Sequence, residues 1–279
     1  MTLHHDIRKP MAYDGNLDLV KAAINRMSLR KTAKGIEICL YSEAPPGSGL
    51  GSSSTLVVAV LSALSRWKQV PLTGYGIAEL AYQVERMDIG IQGGKQDQYS
   101  AAFGGVNFIE FSRDTTIVNP LRLSPDILNE LEYNLLLCNT GGIRLSAGII
   151  EKQVRNYTAG KPDVIAAMEE LKQITIAMKN SLLRGKLSDF GNLLHHAWEN
   201  KKKMATAITN HRLDEIYGIA RKKGVIGGKI TGAGGGGHML LFCPVDRRPA
   251  VHEAIAKFGV TFVPFHIEPN GAQAWEVNS

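Results

Sequence analysis

The segment 45–54, PPGSGLGSSS, limits the fold more than any other stretch of the chain. Gly47, Gly49 and Gly51 stand at every second position, so the backbone there is free to turn through left-handed conformations and to approach another group closely. Four hydroxyl residues, Ser52, Ser53, Ser54 and Thr55, follow at once, and then an apolar run, LVVAVLSALSRW. Upstream, residues 36–42 (IEICLYS) alternate as a strand does. The order predicts a strand, a tight glycine turn and a buried helix over 55–67.

The same alternation of patterns continues. Helical spacing marks 17–30, 77–87, 145–157, 163–184, 187–203, 212–223 and 249–258. Strand patterns mark 104–111, 115–123, 132–138, the stretch after Gly237, and 260–267, while GIQGGKQDQY reads as a loop. The expected class is α+β, with a strand-bearing first part, a mostly helical second part that ends in strands, and a boundary near 140–150. The 279 residues, 44% hydrophobic, suffice for one large domain or two closely packed ones.

The composition narrows the function classes. The net charge of +6 is a mild excess over this length and suits an anionic small substrate. The basic runs 201–203, 221–223 and 247–248 are short and lack interleaved aromatics, so they read as solvated faces and no nucleic-acid partner is expected. The N-terminus lacks a signal-peptide core and no apolar run approaches membrane-span length, so no membrane association is expected. Cys39, Cys138 and Cys243 are far apart and form no C-x-x-C pair. Cys39 and Cys138 lie in apolar runs that predict buried free thiols, and the setting reads as reducing and cytoplasmic.

The loop at 47–55 fits none of the common phosphate or nucleophile motifs. No lysine follows Gly51 as in a P-loop, the third glycine is one residue early for a dinucleotide fingerprint, and G-x-S-x-G is absent. The physics still favours an anion. The first amides of a helix have no internal partner and carry partial positive charge, so a phosphate placed there accepts their hydrogen bonds. The serine hydroxyls could cap the helix, bind phosphate or ligate magnesium. A plain N-cap would need only one of them.

Two acids follow. Glu85 lies late on helix 77–87 and Asp97 lies in GGKQDQ, with Gly90, Gly93 and Gly94 between them to let the chain fold back. By themselves these could be a solvated helix edge and a turn residue. The run 229–237, KITGAGGGG, holds six consecutive Gly and Ala residues beside a strand. That costs conformational entropy and points to close approach of a backbone or a ligand.

Taken together, PPGSGLGSSS at 45–54, the Glu85–Asp97 region and KITGAGGGG at 229–237 resemble the GHMP small-molecule kinases. The resemblance implies a two-lobed fold, with residues 1–145 as a strand-rich N-terminal lobe and 146–279 as a ferredoxin-like C-terminal lobe. It implies that Pro46, Gly47, Ser48, Gly49, Leu50, Gly51, Ser52, Ser53 and Ser54 hold ATP phosphates, buttressed by Gly232, Ala233, Gly234 and Gly235. Ser53 and Glu85 match the family's magnesium ligands and Asp97 its catalytic base or orienting acid. Thr140 and Arg144 match substrate contacts.

The implied reaction is ATP-dependent phosphorylation of the anomeric hydroxyl of a sugar phosphate, D-glycero-D-manno-heptose 7-phosphate giving the 1,7-bisphosphate. That expectation rests on segments such as ELAYQVERMDIGIQGGKQDQYSAAFGGVNFIEF and IVNPLRL. A fucose- or galactose-type sugar 1-kinase and a non-catalytic nucleotide-binding chain stand as alternatives, and a homodimer is left open. The family usually opens with a strand-rich segment carrying an R-x-P-x-R-type motif. This sequence starts at a helix, about where that segment should already have ended; if the segment is absent, the sheet edges it would pair are exposed.

Overall fold

The computed structural model describes residues 2–28, 35–141 and 147–277, which form two compact units. The first comprises Met1–Pro46, Gly51–Val118 and Glu268–Ser279; the second comprises Gly47–Leu50 and Asn119–Ile267.

In the first unit, α1 (Asp18–Arg26), α2 (Ser52–Trp67), α3 (Gly74–Gln83) and α4 (Gln96–Phe103) surround one core. The apolar run after the serines makes α2 the centre. It buries Val57, Val58, Val60, Leu61 and Leu64 against Ala23 and Ile24 of α1 and Ala78 and Ala81 of α3. Burial of each such side chain stabilises by about 1.5–3 kcal/mol. The hairpin β1 (Asn107–Phe111) and β2 (Thr116–Pro120) forms a two-stranded sheet. Arg26 binds Asp88 through two bonds of 2.7 and 2.8 Å and also Gln83, which fixes the end of α1 to the turn after α3. The terminal segment returns to this unit where Gly105 N–H donates to the Glu268 carbonyl, 2.6 Å.

The second unit is built on a four-stranded antiparallel sheet with order β4-β5-β3-β6. Its chain order runs α5 (Pro125–Asn134), β3 (Leu135–Asn139), α6 (Ala147–Thr158), α7 (Pro162–Leu183), α8 (Leu187–Lys203), α9 (His211–Lys222), β4 (Gly227–Ile230), β5 (His238–Phe242), α10 (Arg248–Ala256) and β6 (Thr261–Val263). From β3 onward this is the β-α-β-β-α-β pattern of a ferredoxin-like sheet, with four helices in the first crossover. Trp198 of α8, Ile216 of α9, Ile230, Met239, Leu241 and Ile255 form its core.

Several expectations change. Residues 36–42 are not a strand. Ile36 and Ile38 rest against the core in the expected alternation, but no strand among the described residues pairs with them. Cys39 is therefore exposed, whereas Cys138 and Cys243 are buried free thiols. The expected loop after Gly90 ends earlier, because α4 starts at Gln96 and puts Asp97 in its first turn. The strand expected at 132–138 begins only at Leu135. The residues before it belong to α5, which opens with Pro125 at its first turn and with Ser124 accepting from Ile127 N–H. The strand at 115–123 spans 116–120, and that at 260–267 spans 261–263.

Burial pushes the Cys138 thiol up to about 12 and the Cys243 thiol up to about 11, which leaves both overwhelmingly protonated at neutral pH. Iodoacetamide at pH 7.5 is therefore expected to alkylate Cys39 alone in the folded protein and all three cysteines after denaturation. Peptide mass mapping before and after denaturation checks this.

Candidate active site

The glycine turn does what its spacing predicts. Gly47, Gly49 and Gly51 have φ of 75°, 75° and 72°, while Ser48 and Leu50 between them stay on the negative side. Such alternation aims successive N–H groups toward one side and forms an anion-binding concavity. Gly51 opens α2, and Thr55 N–H is the first amide to bond back, to the Gly51 carbonyl at 3.0 Å. The amides of Ser52, Ser53 and Ser54 thus have no partner inside the helix, and no side chain caps it.

The N-cap is Gly51, which has no side chain, and the hydroxyls of Ser53 and Ser54 inside the first turn are engaged elsewhere. Ser53 Oγ donates to Glu85 Oε1 at 2.8 Å and Ser54 Oγ to Glu85 Oε2 at 2.7 Å. Gln98 Nε2 donates to the same Oε2. Glu85 is fully buried, with Arg86 Nη1 3.9 Å from Oε1. A turn of π-helix, Val84–Asp88, carries Glu85 at the end of α3, a distortion that recurs at functional positions. Arg86 in turn donates to the carbonyls of Ile91 and Gly94 and so braces the glycine loop before α4.

One residue before Gln98, Asp97 faces the other way. It is exposed, and its carboxyl group lies against Gly51: a Cβ at Gly51 would stand 3.5 Å from Asp97 Cβ and 3.9 Å from Oδ2. Within the first unit, then, Ser53, Ser54, Glu85 and Gln98 share one hydrogen-bonded cluster, and Asp97 meets the residue that opens α2.

In the second unit, the 47–50 stretch is seated against the other glycine run. His238, buried, bonds the Ser48 carbonyl through Nδ1 at 2.9 Å; a carbonyl only accepts, so Nδ1 carries the proton. A Cβ at Gly49 would sit 3.1 Å from Thr231 Oγ1, one at Gly232 3.1 Å from Gly49 Cα, and one at Gly237 2.6 Å from the Ser48 carbonyl oxygen. Gly235 N–H donates to the Ile208 carbonyl at 2.8 Å. Lys201 donates to the Gly232 carbonyl. The run at 232–237 is thus a tight backbone-to-backbone seat, in which a Cβ at Gly234 or Gly237 would stand 2.7 or 2.6 Å from a backbone carbonyl oxygen.

Thr140 is fully buried and holds this seat, donating from Oγ1 (2.8 Å) and N–H (2.9 Å) to the Gly237 carbonyl, while its own carbonyl accepts from Arg212. Arg144 lies outside the described residues. Sequence reasoning missed Gln98, Thr231 and Lys201 and gave Ser54 no tie to Glu85; the Q-D-Q context of Asp97 was the signal for Gln98. The basic runs are engaged locally. Lys202 pairs with Glu199 and Asp214, and Arg248 donates to the carbonyls of Tyr133 and Leu135. A separate cleft of about 570 Å³ in the second unit, between α5, β3 and the stretch after β6, is lined by none of the predicted site residues. No helix among the described residues is long and apolar enough to cross a membrane.

The chain matches the profile of the GHMP kinases N terminal domain over residues 18–105 and that of the GHMP kinases C terminal over 178–261. It is 37% identical over 98% of its length to the D-glycero-alpha-D-manno-heptose 7-phosphate kinase of Campylobacter jejuni, covering 81% of that protein. The chain belongs to the GHMP kinase family. Among solved structures it is similar to a D-glycero-D-manno-heptose 1-phosphate kinase from Bacteroides thetaiotaomicron, with a TM-score of 0.76 and 35% identity over 96% of this chain and 78% of that one. Lactococcus lactis galactokinase complexed with galactose shares the fold at a TM-score of 0.68 and 22% identity, over 94% of this chain and 77% of that one.

Replacing Gly237 by Ala puts a Cβ on the Ser48 carbonyl at a φ of 83°. Left-handed backbone alone costs a non-glycine residue about 1–2 kcal/mol. Gly237→Ala is therefore expected to lower stability by at least about that amount, while Gly148→Ala, in α6 with nothing within 4 Å of the added Cβ, is neutral or stabilises by up to about 1 kcal/mol. Urea denaturation of both variants checks this.

Proposed function

We propose that the chain phosphorylates the anomeric hydroxyl of a sugar phosphate with ATP, taking D-glycero-D-manno-heptose 7-phosphate to the 1,7-bisphosphate. One observation carries this reading. Where the glycine turn meets α2, three helix-start amides lack intrahelical partners, and the exposed Asp97 carboxyl lies beside Gly51 at the same place. Amides for phosphate next to an acid for a hydroxyl are the parts that phosphoryl transfer needs. The substrate comes from the similarity to the Campylobacter jejuni heptose 7-phosphate kinase.

In this reading Gly47–Ser54 holds the β- and γ-phosphates through backbone N–H groups. Asp97 accepts the proton of the anomeric hydroxyl as its oxygen attacks the γ-phosphorus, and ADP leaves with the electron pair of the broken P–O bond. Magnesium, when bound, neutralises charge on the phosphate oxygens. Ser53 fits it: the hydroxyl proton is committed to Glu85, which leaves the oxygen lone pairs available. Glu85, buried and taking three donors, would act on the metal through Ser53. Thr140, tied to the Gly237 carbonyl, keeps the 47–50 stretch seated. The buried free thiols suit a reducing, cytoplasmic setting.

The solved relative named as a heptose 1-phosphate kinase motivates a second arm for the test. Purified protein is offered ATP, magnesium and a panel of heptose 7-phosphate, heptose 1-phosphate, fucose and galactose, with coupled ADP detection and ³¹P NMR of the product. A new anomeric phosphate on the 7-phosphate is expected, and turnover confined to another acceptor would contradict the assignment. Asp97→Ala is expected to cut kcat by about 10²–10⁴ with ATP affinity unchanged. Near-wild-type turnover in that variant would remove Asp97 from the mechanism.

A further inference from the structure

We infer that Gln98 is a positioning residue for phosphoryl transfer: its amide N–H₂ fixes Glu85 and thereby sets how Ser53 presents its oxygen to the metal–triphosphate group. The inference rests on the proposed phosphate site and extends it to a residue that touches neither substrate nor nucleotide.

Gln98 is fully buried. Its Nε2 donates to Glu85 Oε2, but its Oε1 is buried with no protein partner. A buried amide with one end unsatisfied is a poor choice for stability, and an apolar side chain of the same length would serve the core better. The half of Gln98 that is engaged is the donor aimed at Glu85, so that bond accounts for an amide at this position. Positions that break the rules of core construction in this way are where function is to be sought.

The geometry of Glu85 says what the bond does. Ser54 and Gln98 together occupy Oε2. That leaves Oε1 for Ser53, with Arg86 at the limit of ion-pair distance. Without Gln98 the carboxylate could rotate, and the Ser53 proton would lose its fixed acceptor. Gln98 also sits beside Asp97 in the first turn of α4. The bond to Glu85 therefore ties the turn that carries the proposed base to the serines that open α2.

The test uses Gln98→Met, which keeps length and apolar volume but removes the donor, with Gln98→Leu as a second variant. Calorimetry measures AMPPNP affinity with and without magnesium. Kinetics separates kcat from the sugar KM, and thermal melting reports stability. Outer-shell partners of metal sites typically contribute 10–100-fold. The expected result is a loss of about that size in the magnesium-dependent gain in AMPPNP affinity and in kcat. Metal-free affinity and sugar KM should hold at wild-type values, and the melting temperature should fall only modestly, because Glu85 keeps the Ser53 and Ser54 donors. Ser54→Ala combined with Gln98→Met should lose less than the product of the single losses, because both act on Oε2. A wild-type magnesium gain in a folded Gln98→Met or Gln98→Leu overturns the inference, as does a melting-temperature fall in both variants with the magnesium gain intact. The calorimetric arm needs no sugar, so it still decides if the substrate assignment fails.

Discussion

Glu85 takes hydrogen bonds from Ser53, Ser54 and Gln98 while out of contact with solvent, and the first unit is arranged around that junction. The carboxylate comes from a π-helical turn, two donors from the first turn of α2 and the third from the first turn of α4. A charged group so placed is tolerable only while its donors are present, so the three segments are held in one mutual geometry. The arrangement has a second consequence. The hydroxyls give their protons to Glu85 and keep their lone pairs, while Gly51 at the N-cap brings no side chain, so the helix start is left with donors for an anion. Structure and chemistry come from the same three bonds.

The 47–50 stretch depends on a different constraint, the absence of side chains. A Cβ at Gly237 would clash with the Ser48 carbonyl and one at Gly49 or Gly232 would be tight, and His238 and Thr140 fasten carbonyls on either side of the contact. In the second unit, then, the 47–50 stretch is held by backbone packing; in the first, Ser53 and Ser54 are held by a carboxylate. Each contact depends on residues that are poor choices for ordinary stability.

The sequence made much of this legible, for physical reasons that differ by residue. Gly47, Gly49 and Gly51 announce a left-handed turn because no other residue adopts it cheaply, and the apolar run after them is too long for an ordinary strand and reads as a buried helix. The glycines of 232–237 signalled close approach, and the packing on Gly49 bears this out as backbone contact. What stayed hidden was long-range pairing. The alternation in 36–42 is genuine, since Ile36 and Ile38 face the core, yet a strand needs a neighbour that alternation cannot supply. The start of α4 was hidden by Gly93 and Gly94, which stand just ahead of its N-cap residue Lys95. Gln98 could not be read as a partner of Glu85 until that helix was known. Ser124-Pro125 did carry a helix-start signal, and the apolar run 135–138 drew the strand too far upstream.

The central claim is that the start of α2, with Ser53 backed by Glu85, receives the triphosphate and its metal. A crystal structure of the protein with manganese and AMPPNP tests it directly, because manganese gives an anomalous signal of its own. The account predicts a manganese peak within coordination distance of Ser53 Oγ, with the β- and γ-phosphates on the amides of the 47–54 loop. A nucleotide bound with its phosphates and manganese away from that loop would contradict it.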